Sequence, residues 1–254
     1  MTPQTNPASC RACHEGVTPP FDFSMAFQPI VDTVDGSVFA YEALVRGPHG
    51  EPAASVLSQV TPQNFYRFDQ SCRVKAITLA TGLGIAATGA RLSINFMPEA
   101  VATPLGCLQL TLRTARDCGL PTDRIILEIV ESEELRDVPH LCAIVEVCGR
   151  HGIQVALDDF GSGYSGLGLL TDVPTGIVKL DMELTRNLHQ RPRSVTLIKS
   201  LVAITQAFEA QIIAEGVETL DEYHALQACG IRYMQGFLLG QPEFEALGAS
   251  SLPG

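Results

Sequence analysis

The sequence has no tryptophan, little positive charge and no apolar run long enough to cross a bilayer. Its 254 residues include 17 lysines and arginines against 28 aspartates and glutamates, a formal net charge of -11. Such a surface argues against binding to a nucleic acid polymer or an anionic membrane, since both attract basic side chains. The N-terminus also lacks a basic segment followed by an apolar core, so we expect a cytoplasmic protein.

Eight cysteines are spread along the chain, and without a secretory signal we expect reduced thiols rather than a disulfide framework. Cys10 and Cys13 precede His14 with the spacing of a c-type haem attachment site, although haem attachment would require export. The alternatives at this pair are a solvated tail, or a redox-responsive or zinc-binding site. Residues 1–20 show no apolar periodicity, so we predict a flexible extension there and a single domain over residues 21–254.

From Met25 onward, short β-rich runs alternate with segments of helical period, which indicates a largely parallel sheet. The predicted strands are 25–31, 38–45, 92–96, 125–130, 154–159, 177–181, 211–215 and 233–237. The predicted helices lie near 53–60, 68–81, 106–118, 137–150, 194–209 and 221–229. This number of strands favours a (β/α)₈ barrel. Asp35-Gly36 leaves no room for a helix between the first two strands, so these should form an antiparallel hairpin.

Each predicted strand ends in polar or ionisable residues. They are Gln28, Glu42, Asn95, Glu128, Asp158 with Asp159, Lys179 with Asp181, Glu215 and Gln235. The carboxyl ends of barrel strands form the face where such enzymes place their chemistry. Converging carboxylates repel one another unless cations lie between them, and Mg²⁺ and Mn²⁺ prefer oxygen ligands. A metal site is therefore predicted. The alternative for the whole set is that these are polar residues facing the loops, and the alternative for Asp158-Asp159 alone is a solvated turn. No histidine lies at a strand end, which argues against zinc.

These motifs resemble the EAL domain, a family of bacterial cyclic di-GMP phosphodiesterases. The resemblance runs from about Ser24 to Pro242. It includes Gln28-Pro29-Ile30-Val31, Glu42-Ala43-Leu44 with Arg46, Ile94-Asn95-Phe96-Met97-Pro98, Leu127-Glu128-Ile129-Val130-Glu131, the loop 158–165, Lys179-Leu180-Asp181, Ala214-Glu215-Gly216-Val217-Glu218-Thr219 and Gln235-Gly236. It implies a modified (β/α)₈ barrel with an antiparallel strand near its start, and metal-dependent hydrolysis of one phosphodiester of cyclic di-GMP to linear pGpG.

The resemblance also implies a site with two Mg²⁺ or Mn²⁺ ions. A first ion would be held by Glu42, Asn95, Glu128 and Asp158. Asp158 would bridge to a second ion carried by Asp159, with Glu215 contributing directly or through water. Lys179 would supply a positive charge beside the water or the phosphate, with Asp181 orienting it, unless the two form only a structural pair. The catalytic residues are then Lys179, Glu215, Glu42 and Asp158.

Further residues are expected to contact the substrate or support the site. Gln28 and Gln235 could bind ligand or hold the metal shell. Asp181 is also expected to contact the substrate. Arg46 is expected on a substrate phosphate, with a surface salt bridge as the alternative. Glu131 would anchor the loop after Asp159, which in the family links the metal site to the interface of a homodimer.

The chain departs from the family pattern at Val130, where threonine is usual, and at Gly47, where tryptophan is frequent. Neither departure removes a residue that the chemistry requires, so an active enzyme is predicted. The alternative is a weakly active or inactive domain that serves as a cyclic di-GMP receptor or a protein-interaction module. An enolase-type lyase fits less well, because it would use a Lys or His base with three acidic ligands on successive strands.

Overall fold

Strands and helices alternate along the chain in the computed structural model, which describes residues 20–98, 104–130, 137–162 and 166–253. The strands are β1 Ser24–Asp32, β2 Val38–Arg46, β3 Arg91–Phe96, β4 Ile125–Val130, β5 Gln154–Phe160, β6 Ile177–Leu180, β7 Gln211–Ala214, β8 Tyr233–Met234 and β9 Glu243–Phe244. The helices are α1 Ala53–Leu57, α2 Phe65–Gly82, α3 Ile85–Thr88, α4 Pro104–Cys118, α5 Val138–Arg150, α6 Gly166–Asp172, α7 Met182–Thr185, α8 Pro192–Ala207 and α9 Leu220–Ala228. Residues 1–19, with Cys10, Cys13 and His14, lie outside the described part.

The first two strands form the predicted antiparallel hairpin, with Gln28 opposite Glu42. The turn closes because Gly36 has a φ of +77°, a conformation that glycine adopts without steric cost. Its N–H donates to the Asp32 carbonyl oxygen at 2.9 Å. The hairpin therefore sets β1 against the direction of the strands that follow.

The strands β2 to β8 lie side by side in chain order, and each neighbouring pair is parallel. β1 closes the sheet, since it pairs antiparallel with both β2 and β8. The short β9 adds to the outer part of β1 through Ala26 and Phe244. The prediction of a modified (β/α)₈ barrel with one antiparallel strand near its start is confirmed.

Two apolar layers stabilise the barrel. The larger lies between strands and helices and includes Leu127, Leu157 and Val178, which are buried. A separate cluster fills the barrel interior and is built from Ile30, Phe39, Ala40, Ile126, Ala156, Ile177 and Ile213, with Tyr233 packed against it. Side chains on a strand alternate between its two faces, so residues two positions away from this cluster also point inward.

The structure differs from the predicted elements mainly around the mouth of the barrel. α6 and α7 were not predicted, because one begins in a glycine-rich segment and the other is a single turn capped by Asp181. β8 ends at Met234 rather than at 237. The Gln235 N–H still donates to the Ala214 carbonyl oxygen of β7 at 2.8 Å. The Gln235 carbonyl oxygen, however, accepts from the Val217 N–H, and the Leu238 N–H donates to the Val217 carbonyl oxygen, so the chain from here on pairs with the loop after β7.

Five cysteines whose side chains the structure describes are free thiols: Cys72, Cys118, Cys142, Cys148 and Cys229. Over the same residues, no helix combines the length and apolar character that a bilayer crossing needs.

Candidate active site

One layer of polar side chains lies directly above the apolar interior of the barrel. Its members are Gln28, Glu42, Glu128, Asp158, Lys179, Glu215 and Gln235, each two positions from a residue of the interior cluster on the same strand or its extension. The alternation of strand side chains therefore turns this set toward a common centre. Gln28 and Glu42 lie in the middle of nine-residue strands rather than at strand ends, so the predicted position was wrong for these two.

Lys179 lies at the centre of this layer, and its side chain is 1% exposed. Its Nζ is 2.6 Å from a Glu215 oxygen, 2.8 Å from Glu128 and 2.9 Å from Asp158, with Glu42 at 3.7 Å. Burial by itself lowers the pKa of Lys179, but the carboxylates, Asp158 first, raise that pKa well above its ordinary value. Lys179 is therefore a cation enclosed by negative charge.

Asp158 and Asp159 face the same cleft because β5 contains a bulge. Leu157 pairs with Val178, and the next pair is Phe160 with Leu180. Between these two pairs β5 advances by three residues whereas β6 advances by two. Asp159 takes up the extra residue with a φ of +52°, in the left-handed region. Consecutive residues of a regular strand would point to opposite faces, so the bulge is what brings the two carboxylates together.

Burial and neighbouring charge favour the protonated forms of several of these acids. Burial raises the pKa of Asp159 to about 6, with Asp158 adding to the shift. Burial likewise raises the pKa of Glu215 to about 8, although Lys179 acts in the opposite direction. Burial also raises the pKa of Glu128 well above its ordinary value. Acids in this state bind protons until a cation replaces them.

The arrangement of oxygens suits a divalent cation. Asp158, Asp159 and Glu215 each offer a carboxylate oxygen, and these atoms lie within 4.8 Å of one another. Glu128 accepts hydrogen bonds from Ser93 Oγ at 2.7 Å through Oε1 and contacts Lys179 through the same atom. Its buried Oε2 has no hydrogen-bond partner among the described residues, which leaves a lone acceptor for a metal. Hard oxygen donors of this kind are what Mg²⁺ and Mn²⁺ prefer.

The two glutamines hold Glu42 in place. Gln235 Nε2 donates to Glu42 Oε2 at 2.7 Å and to Gln28 Oε1 at 3.2 Å. Gln28 Nε2 in turn donates to the Gly240 carbonyl oxygen at 3.1 Å. Gln235 therefore contacts Glu42 directly and Gln28 contacts Gln235, while their predicted roles in ligand binding or in the metal shell stay predictions.

An open cleft of about 910 Å³ lies above this layer. It is lined by the predicted residues Gln28, Glu42, Asn95, Asp158, Asp159, Lys179, Glu215 and Gln235. It is also lined by Met182, Arg186 and Phe237, which were not predicted as site residues, and by Glu218, which belongs to the motif after β7 but was not predicted as a ligand. Phe237 follows Gln235 by two positions and is 58% exposed, so the same alternation could have identified it. Arg186 and Glu218 carried no such signal, because they come together only through the packing of two loops.

Two predicted residues, Arg46 and Asp181, lie elsewhere. Arg46 lines a neighbouring apolar pocket of about 770 Å³, which shares Leu44 and Asn95 with the cleft, and its Nη1 donates to the Val45 carbonyl oxygen. Asp181 accepts a hydrogen bond from the Glu183 N–H at 2.7 Å and caps α7, and no ion pair joins it to Lys179 among the described residues. Its predicted role in orienting Lys179 or binding substrate stays a prediction. Glu131 lies outside the described residues.

Known proteins share this fold and these motifs. The EAL domain family matches residues 21–242. A standalone versatile EAL protein from Vibrio cholerae O395, solved in a form with bound cyclic di-GMP, is 45% identical with a TM-score of 0.88, covering 92% of this chain and 98% of that one. BlrP1 of Klebsiella pneumoniae, solved as a manganese and cyclic di-GMP complex, is 29% identical with a TM-score of 0.83, covering 92% of this chain and 61% of its own.

Among curated proteins, the cyclic di-GMP phosphodiesterase PA2567 of Pseudomonas aeruginosa is 27% identical over 230 residues, or 87% of this chain. The chain spans only 38% of PA2567 and 58% of the Escherichia coli antirepressor BluF, a second relative at 27% identity. The similarity to these relatives therefore covers one part of larger proteins.

Proposed function

The chain belongs to the EAL domain family, and from this membership together with its acidic site we propose that it hydrolyses one phosphodiester bond of cyclic di-GMP to linear pGpG. The observation that carries the proposal is the group of Asp158, Asp159 and Glu215, whose oxygens can hold a metal ion beside the buried cation Lys179. The cyclic di-GMP complexes of the Vibrio cholerae and Klebsiella pneumoniae proteins support the choice of substrate.

The proposed cofactor is a pair of Mg²⁺ or Mn²⁺ ions. Glu42, Asn95, Glu128 and Asp158 would hold the first, and Asp158, Asp159 and Glu215 the second. Two bound divalent ions lower the pKa of a water and offset the charge that develops on a phosphate during displacement. The manganese complex of BlrP1 supports this assignment.

The residues of the chain do the remaining work. Lys179 contributes a fixed positive charge between Glu215 and Asp158, where it can donate a hydrogen bond to a phosphate oxygen or to the attacking water. Gln235 orients Glu42 through its 2.7 Å hydrogen bond. Phe237 offers an exposed ring at the cleft on which a guanine base can stack. Arg46 remains a proposed substrate contact through the adjoining pocket, and Glu131 a proposed loop anchor.

The test is replacement of Glu42 with alanine. Since Glu42 is both a proposed ligand and a contact of Lys179, we expect hydrolysis to fall by at least about 100-fold. The matched control is Glu146→Ala, which removes an exposed glutamate on α5 that pairs only with Arg150 among the described residues. Product is measured as pGpG by chromatography. Unchanged hydrolysis with unchanged metal dependence in Glu42→Ala would contradict the proposed site. Tight binding of cyclic di-GMP by the wild-type protein without any pGpG would favour a receptor instead.

A homodimer in the cytoplasm is part of the same proposal. The family resemblance supports the dimer, and the acidic composition of the sequence is consistent with a protein that does not bind anionic membranes. Light scattering after size-exclusion chromatography tests the dimer, and a monomer with full activity would exclude it as a requirement.

A further inference from the structure

Two loops at the mouth of the cleft are joined by side chains that lie outside the proposed metal shell. The first follows β6 and supplies Met182 and Arg186 to the cleft. The second follows β7 and supplies Glu215 and Glu218. Both loops leave the sheet, since β6 ends at 180 and β7 at 214, and the Glu215 N–H keeps one hydrogen bond to the last residue of β6. The position of Glu215 therefore depends on what connects these loops.

Thr185 makes the most direct connection. Its Oγ1 donates to the backbone carbonyl oxygen of Glu215 at 2.6 Å, and the residue is 1% exposed. The Glu215 N–H donates to the Leu180 carbonyl oxygen at 3.1 Å, so one polar group of the Glu215 backbone is fixed by the end of β6 and the other by Thr185 of the first loop. A buried hydrogen bond to a ligand residue restricts the directions in which its carboxylate can point.

Glu222 makes a second connection from the first turn of α9, and its side chain is also 1% exposed. Its Oε1 accepts from the Asn187 N–H at 2.8 Å, and its Oε2 accepts from the N–H groups of Glu218 and Thr219 at 3.1 Å each. One carboxylate thus binds the end of the first loop and the end of the second. Asn187 adopts a φ of +50°, which brings its N–H toward Glu222 at some conformational cost.

The close packing of the two loops indicates that they form one unit. A methyl group added at Gly216 would overlap the Met182 side chain, and Gly216 has a φ of +67° that disfavours any larger residue. Arg186 adds an ion pair with Glu218 at 2.7 Å. Packing, hydrogen bonds and charge therefore act together on the segment that carries Glu215.

We propose that Thr185 and Glu222 are positioning residues that fix the direction in which Glu215 presents its carboxylate to the metal site. This inference rests on the proposed function, because Glu215 is a ligand only if that function holds. Removal of groups that orient metal ligands commonly weakens metal binding by about 10-fold to 100-fold. The same range is expected here, since Thr185 touches the backbone of the ligand itself.

The test is Thr185→Val, which removes the hydroxyl but keeps the branched shape. Thr205→Val is the matched control, because Thr205 is equally buried and its Oγ1 donates to the Val202 carbonyl oxygen within α8. Mn²⁺ binding is measured by isothermal titration calorimetry without substrate, and the Mn²⁺ dependence of hydrolysis is measured in parallel. We expect about 10-fold weaker Mn²⁺ binding in Thr185→Val, with turnover largely recovered at saturating Mn²⁺, and wild-type binding in Thr205→Val.

Thr185→Ser separates the hydroxyl from the packing of the methyl group. We expect this variant to bind Mn²⁺ as the wild type does. Wild-type binding in Thr185→Val, or equal losses in the serine and valine variants, would overturn the positioning role while leaving the proposed function standing. If the wild-type protein itself bound no Mn²⁺, the proposed function would fail first and the inference with it.

Discussion

At the scale of the residue, Lys179 carries the largest electrostatic role in the site. Its ammonium group contacts four carboxylates that would otherwise repel one another. Divalent ions would occupy the same negative environment, so the charge of Lys179 is available to the phosphate when the ligands are satisfied by metal. A buried lysine among acids is often only structural, and the two roles predict different results.

Replacement of Lys179 with methionine distinguishes them. Because the four carboxylates remain, we expect Mn²⁺ binding to persist, whereas hydrolysis at saturating Mn²⁺ should fall by about 100-fold or more through loss of charge stabilisation. Calorimetry and pGpG formation measure the two quantities. The control is Lys199→Met, which changes an exposed lysine on α8. A variant with normal turnover once Mn²⁺ is bound would show that Lys179 is structural.

The raised pKa values predict how metal binding depends on pH. Burial raises the pKa of Glu215 to about 8 and that of Asp159 to about 6, so near pH 6 Glu215 is almost fully protonated and Asp159 partly so. A metal ion binds the carboxylate form, and protons must therefore leave as it binds. We expect Mn²⁺ affinity to rise from pH 6 to about pH 9 and to level off above, with proton release visible in calorimetry in buffers of different ionisation enthalpy. An affinity that stays constant over this range would contradict the assignment of these two ligands.

At the scale of the element, the local pattern of the sequence predicts the strands of the barrel better than it predicts the bulge and the short helix at the barrel mouth. Apolar runs and helical periods identify the strands that form the sheet, and Asp35-Gly36 identifies the hairpin. The bulge in β5 could not be predicted, because a regular strand and a bulged one share the sequence Leu157-Asp158-Asp159-Phe160 and differ only in pairing with β6. α7 could not be predicted either, because a helix of four residues is too short to show a helical period in the sequence.

Gly161, directly after the bulged strand, should be intolerant of a side chain. Its φ is +100°, and an added Cβ would overlap Leu184 in α7. We expect Gly161→Ala to lower the free energy of unfolding by about 1 to 3 kcal/mol through strain and overlap. The control is Gly168→Ala in α6, where the added methyl meets no atom within 4 Å and glycine is a poor helix former. Urea denaturation measures both variants, and equal stability of the two would show that the loop adapts without cost.

At the scale of the whole molecule, the site contains residues on strands, which the sequence predicts, and residues on loops, which it does not. The polar layer above the apolar interior follows from alternation along the strands, so residues such as Glu128 and Gln235 could be predicted individually. Arg186 and Glu218 could not, because their pairing depends on how the loops after β6 and β7 pack. Asp181 was predicted at a strand end, but the strand is one residue shorter and the side chain caps a helix instead.

The acidic character of the molecule also has a functional consequence. The chain carries a net charge of -11, and the substrate proposed for it is an anion. Like charges repel one another unless cations lie between them, so the proposed divalent ions would offset this repulsion while the substrate reacts.

The most direct test is hydrolysis of cyclic di-GMP by the purified wild-type protein with Mg²⁺ or Mn²⁺ and, in parallel, with a chelator, the products being separated by chromatography. The site predicts linear pGpG as the product with metal and intact cyclic di-GMP with chelator. Equal hydrolysis in the two conditions, or no hydrolysis with either metal, would contradict a metal-dependent phosphodiesterase.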